Sequence, residues 1–110
     1  MKILILEDSK RRHKAFRAKY GFDLTIVETT SEAIELLESQ EWDTLFLDHD
    51  LGGETMVDSG SGTGYEVAKW LSEHPERKPR QIILHSYNPV GRANMKAALP
   101  EAEEAPGIWL

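Results

Sequence analysis

The sequence predicts an α/β fold with a parallel five-stranded sheet, and three observations carry that expectation. Strand-sized apolar runs recur along the chain: KILILE at 2–7, DLTIVE at 23–28, DTLFLD at 43–48 and QIILHS at 81–86, with GIWL at 107–110 as a shorter fifth. Each of the first four is followed by a stretch with helical spacing. The carboxyl ends of three of them carry Glu7-Asp8, Asp48 and Ser86. Continuous apolar runs read as strands buried on both faces of a parallel sheet. Regular alternation with helices implies right-handed crossovers, and ligands in such sheets bind beyond the carboxyl ends of the strands.

The elements follow in order. After the first strand, Ser9 can cap a helix through about Lys19, with Phe16 and Tyr20 one turn apart on its inner side. Thr29 and Glu32 have capping-box spacing ahead of a helix whose apolar stripe is Ala33, Ile34, Leu36 and Leu37. The third strand runs into HDLGGETMVDSGSGTG, the one long Gly-, Ser- and Asp-rich loop, and such loops are usually functional. Thr63 and Glu66 repeat the capping-box spacing and open a helix to about Glu73. Pro75 and Pro79 keep the polar connection HPERKPRQ out of helix. Asn88 and Pro89 then sit at cap and first-turn positions of a helix that runs to Leu99 and is stopped by Pro100.

Composition sets bounds. The length of 110 residues suits one domain over 1–110. Hydrophobic residues at 40% and charged residues at 29% are an ordinary globular balance. No cysteine is present, which excludes disulfides and thiolate metal sites. No apolar stretch is membrane-sized, and Met1 leads directly into a strand, so the expected location is cytoplasmic. Nineteen acids against 13 Lys and Arg give a net charge of −6, which argues against broad nucleic-acid binding. Bases do cluster at Lys10, Arg11, Arg12, His13, Lys14 and Arg17. They form either a solvated helix face or a patch that draws an anion towards the neighbouring acids.

Glu7, Asp8 and Asp48 are the residues with the clearest chemistry. Like charges a few ångströms apart repel, so one must hold its proton or a cation must bind. Oxygen ligands suit Mg²⁺, Mn²⁺ or Ca²⁺. The plainer alternative is that some of these acids cap helices or face water. His49 lies between two acids and His85 precedes Ser86; each could take or give a proton, or could be a structural residue bonded to a neighbour. Alternation along a strand points His85 and Ser86 to opposite faces unless the strand has already ended. Asn88 reads as a helix cap, and the amides after it could also meet a phosphate oxygen, with Gly91 allowing close approach. His13 and His74 read as surface residues, and the tryptophans as packing.

The segments ILILEDS, TLFLDHDLGG, TGYEVAKWL and ILHS resemble the receiver domain of two-component response regulators over nearly the whole chain. The resemblance implies a flavodoxin-like strand order 2-1-3-4-5. It also implies metal binding by Glu7, Asp8, Asp48 and the backbone carbonyl of Asp50, and contact of Ser86 with a phosphoryl oxygen. The chain departs from receivers in four ways: no Lys ends the fifth strand, Leu51-Gly52 replaces the usual Met-Pro, the long loop 52–62 is an insertion, and the fifth helix is missing. With that helix missing, only the first helix would cover its face of the sheet. A homodimer or another docked protein is expected there.

LFLDHDLGG, TGYEVAKWL and HSYNPVGRANM together are similar to the group described as cyclic-phosphate-processing receiver domains, short stand-alone proteins of bacteria and phages. That resemblance implies a role in sensing or hydrolysing cyclic phosphates, and the expected function is metal-dependent binding of a cyclic phosphate or nucleotide with Mg²⁺ or Mn²⁺, hydrolysis being left open. His49, Asp48 and His85 would be catalytic. Ser86, Asn88, Gly91, Arg92 and Arg12 would be phosphate-binding, Arg92 standing in for the missing Lys and Arg11 or Arg12 being alternatives. Two other functions are compatible with the same residues: a receiver phosphorylated on Asp48, and a non-catalytic interaction module.

Overall fold

The four longest apolar runs become four-residue strands: β1 (Ile3–Leu6), β2 (Leu24–Val27), β3 (Thr44–Leu47) and β4 (Gln81–Leu84). Between and after them come α1 (Lys10–Tyr20), α2 (Thr30–Ser39), α3 (Gly64–Glu73) and α4 (Pro89–Ala98). A two-residue β5 (Glu103–Glu104) completes the sheet. This computed structural model describes residues 2–21, 23–51, 60, 62–86 and 88–105. The expected strand GIWL and most of the loop after Leu51 lie outside the described residues.

The sheet order is β2-β1-β3-β4-β5, and every pairing is parallel. The expected flavodoxin-like architecture is therefore present. One face carries Leu4, Leu6, Leu45, Leu47 and Leu84 against Ala33 and Leu37 of α2, Val67 and Leu71 of α3 and Met95 of α4. The other face carries Ile3, Ile5 and Phe46, packed on Phe16 of α1. Period-two alternation explains the division, since odd and even positions of each strand point to opposite faces.

Caps hold three of the four helices as expected. Ser9 Oγ accepts from the Arg12 amide, Thr29 Oγ1 from the Glu32 amide at 3.2 Å, and Asn88 Oδ1 from the Gly91 amide at 2.9 Å. The capping box expected at α3 does not form. Thr63 donates its hydroxyl to the Gly60 carbonyl at 2.7 Å, and Glu66 takes the Gly62 amide at 2.7 Å. The Thr63 oxygen also accepts from the Gly60 amide at 3.2 Å, so the acceptor a cap needs is turned to the preceding turn. Pro75 starts a short 3₁₀ turn, Pro75–Arg77, where its missing amide costs nothing. Among the described residues, no helix is long and apolar enough to cross a membrane.

Tyr20 closes much of the face beside α1. Its ring centroid lies 5.3 Å from that of Phe46, and Phe46 is almost fully buried. Ile83, Leu24 and Ile26 remain half-buried at the rim.

Candidate acidic site at the carboxyl edge of the sheet

Register and parity together build this site. Leu6, Leu47 and Leu84 are aligned across β1, β3 and β4. The next residue in each strand is Glu7, Asp48 and His85. All three lie on the parity of Ile5, Phe46 and Ile83, the face covered by α1. One ligand atom from each comes within 4.8 Å of the others, and all three side chains are buried. Together they could hold a cation.

Each acid has a set of partners. His85 is fully buried and its Nε2 is 3.0 Å from Glu7 Oε1; a carboxylate only accepts, so Nε2 carries the proton. Glu7 Oε2 accepts from the Ser9 amide at 3.0 Å, and Arg12 Nη1 donates to Oε1 at 3.3 Å. Arg12 Nη1 also lies 3.6 Å from Asp48 Oδ2. Asp48 Oδ1 accepts from the His49 amide at 2.9 Å, and the Ser86 side chain lies near enough to favour its ionised form. Thus His85 and Ser86, adjacent in sequence, both reach this row. β4 has ended at Leu84, so strict alternation no longer separates them.

Burial raises both acids, and their partners decide which stays charged. Asp48 is pushed up to about 8, first by burial and then by the negative charge of Glu7; Arg12, the His49 amide and Ser86 only partly offset this. For Glu7, burial is outweighed by the hydrogen bond and charge of His85, the Ser9 amide and Arg12, so its carboxyl is held below the usual range. Burial lowers His85 against the pull of Glu7. Without a cation, Glu7 is thus the carboxylate, and Asp48 keeps a proton through neutral pH.

The other expected residues fall around this row. Asp8 is half-buried at the same strand end and stands outside the 4.8 Å group. The His49 ring lies on the opposite parity from Asp48, fully buried, with Nδ1 donating to Asp50 Oδ1 at 2.8 Å. Asn88 Nδ2 donates to that same Asp50 oxygen at 3.1 Å. Gly91 is required there, because a Cβ would lie 2.4 Å from the His49 ring. Gly64 is held just as closely: its amide donates to the His49 carbonyl at 2.9 Å, and a Cβ would meet the Asp48 carbonyl oxygen at 1.7 Å. Arg92 spans the Ser86 carbonyl at 2.6 Å and Glu104 at 3.1 Å. The Gly91 amide is already taken by Asn88.

His13 is a site neighbour that composition does not reveal. It is half-buried, and its Nε2 donates to the Glu7 carbonyl at 2.6 Å. Its place one turn after Ser9, on the helix face shared with Phe16, is the signal that locates it.

Solved structures share this fold. The response regulator TrrA from Thermotoga maritima, in complex with Mg²⁺-BeF, matches with a TM-score of 0.69 and 20% identity, covering 94% of this chain and 85% of that one. A response regulator from Burkholderia pseudomallei with a phosphorylated aspartic acid, calcium ion and citrate matches at 0.68 and 13%, covering 96% and 59%. The MaeR response regulator bound to beryllium trifluoride matches at 0.60 and 27%, covering 90% and 78%. No curated protein matches the chain in sequence. The family model described as cyclic-phosphate processing receiver domain matches residues 2–101, and with the receiver strand order and the acidic row at its carboxyl edge, the chain belongs to that family.

Proposed function

We propose that this chain binds a cyclic phosphate or cyclic nucleotide at the carboxyl edge of its sheet with the help of a divalent cation, Mg²⁺ or Mn²⁺, and hydrolyses it. The observation that carries the reading is the buried row of Glu7, Asp48 and His85, whose ligand atoms lie within 4.8 Å of one another. The family description supports the substrate class, and the Mg²⁺-BeF complex of TrrA supports the cation. The donor set fits: Mg²⁺ and Mn²⁺ take one or two carboxylates plus water and phosphate oxygens. Glu7 and Asp48 would hold the ion, with Asp8 and the Asp50 carbonyl completing the set. A bound cation supplies charge to offset the phosphate oxygens and a polarised water.

The chain's own residues have definite tasks in this reading. Hydrolysis adds water across one P–O ester bond, so the ring opens to a monoester; a base takes the water proton and the leaving oxygen gains one. His85, in the row itself, is better placed for such a transfer than His49, which is packed under Gly91. His49 and Asp50 then position Asn88 and the start of α4. Ser86 and Arg12 would face the phosphate, while Arg92 fixes the Ser86 carbonyl. The test is turnover or binding of 2′,3′- and 3′,5′-cyclic nucleotides with Mg²⁺ or Mn²⁺, for wild type, His85→Gln and His49→Ala. Turnover that falls further in His85→Gln than in His49→Ala is the expected result. Neither binding nor turnover across the panel removes the reading.

A second reading rests on Asp48, which ends β3 and has the Ser86 side chain near it as a phosphoacceptor would. Treatment with a small phosphodonor and Mg²⁺ decides it: an adduct seen by intact mass and absent from Asp48→Asn supports phosphorylation. Pairing of two copies across the rim formed by Tyr20 and Ile83 is compatible with either reading. A monomer in sedimentation at high concentration sinks that pairing.

A further inference from the structure

A single nitrogen of Arg12 stands against two buried carboxyl groups, 3.3 Å from Glu7 Oε1 and 3.6 Å from Asp48 Oδ2. The two acids expose 3% or less of their side chains, whereas Arg12 exposes 21%. Its guanidinium therefore has a way out to solvent that the acids lack. Its backbone is fixed, because its amide bonds the Ser9 cap in the first turn of α1. Lys10, on the same turn, is engaged elsewhere, with Nζ 2.6 Å from Glu28. Arg12 is thus an α1 cation aimed at the acidic row.

Two buried acids this close are eased by a proton on one of them, by a positive charge beside them, or by both. A divalent cation held by the same oxygens would sit within a few ångströms of the guanidinium. At that range like charges repel strongly, all the more away from bulk water. The guanidinium and the ion cannot keep the same side of the carboxylate pair.

We infer that Arg12 is a tethered counter-ion: it holds Glu7 and Asp48 while no divalent cation is bound, is displaced outward when one enters, and in that position meets the phosphate of the ligand. The inference rests on the cation-dependent reading above. It has a thermodynamic consequence, because coupling between two ligands is reciprocal. The cation frees Arg12 for the phosphate, and the phosphate holds Arg12 away from the cation. Arg12 therefore adds to the cooperativity between divalent cation and phosphate, beyond their direct attraction.

The experiment is calorimetric titration of Mg²⁺, alone and with inorganic phosphate, into wild type, Arg12→Ala and Arg12→Lys at about pH 9, where protons compete least for the acids. In Arg12→Ala, Mg²⁺ alone is expected to bind several-fold tighter, and the gain in phosphate affinity that Mg²⁺ confers on wild type is expected to fall several-fold. Arg12→Lys should retain part of that gain, and it keeps the test open if Arg12→Ala folds poorly. In wild type, the Arg12 side-chain Nε–H resonance should move when Mg²⁺ is added. Wild-type binding with unchanged or weaker Mg²⁺ affinity in Arg12→Ala, or phosphate coupling undiminished by the substitution, overturns the inference and leaves the cation site standing. Absence of Mg²⁺ binding in wild type overturns both.

Discussion

Asp48→Asn is expected to abolish divalent-cation binding and at the same time to stabilise the cation-free protein at alkaline pH. In the folded chain Asp48 keeps its proton up to about pH 8, against a value of 3.8 when unperturbed. Between those values the native state binds a proton that the unfolded chain has released. Its contribution to stability is complete below the unfolded value and is lost as pH rises to the folded one, with a slope of at most ~1.4 kcal/mol per pH unit. His85 acts in the opposite direction, since a buried neutral imidazole favours folding less as pH falls below its ordinary 6.5. The two effects oppose one another in mildly acid solution. The loss due to Asp48 should therefore be clearest between about 6.5 and about 8 and should level off above that.

An amide keeps the shape of the protonated acid and cannot ionise beside Glu7. The Asn variant should consequently lack this decline, and at about pH 9 it should exceed wild type by roughly 2–3 kcal/mol without cation. Saturating Mg²⁺ should restore wild type and leave the variant unmoved. Urea melts between pH 6 and 9, with and without Mg²⁺, check all of this. A wild-type profile flat through that range, or a variant that still responds to Mg²⁺, contradicts the account.

His85→Ala is expected to be the most destabilising single change at the site, by about 3–5 kcal/mol. Two losses combine. Glu7 is fully buried and ionised, and the substitution removes the partner at 3.0 Å that does most to keep it so. The imidazole also fills space between two aromatic rings, with centroids 5.3 Å from Phe16 and 6.2 Å from Phe46, and Ala leaves a cavity there. A domain of this size has a total stability of roughly 5–15 kcal/mol, so the variant should melt well below wild type. Glu7→Gln in the His85→Ala background should recover part of the loss, because the buried charge is gone. A loss under about 1 kcal/mol would mean that His85 is no more than packing.

Much of the fold and part of the site are legible in the sequence. The strand runs, the alternation and the caps Ser9, Thr29 and Asn88 are local patterns, and the chain forms them where they are written. Glu7, Asp48 and Ser86 are recognisable because they end apolar runs. Local pattern fails at Thr63, whose hydroxyl oxygen could accept from either of two amides and takes that of Gly60 in the preceding turn. It fails again at β5: Glu103 and Glu104 are exposed and charged, so no apolar run announces them.

Which residues end the strands, and which face of a strand each side chain takes, follow from the order of residues alone, because alternation is a property of the single strand. Which of them meet is a matter of tertiary packing. His85 pairs with Glu7 across 78 positions, and nothing near either residue specifies the other. The link is the register of β1, β3 and β4, set by the packing of both sheet faces, and a slip of one residue would send Glu7 to the wrong side. The same register turned His49 under Gly91 and brought Arg12 against two acids at once. The acidic row is therefore a product of three aligned strands and one helix, and it exists only once the chain is folded.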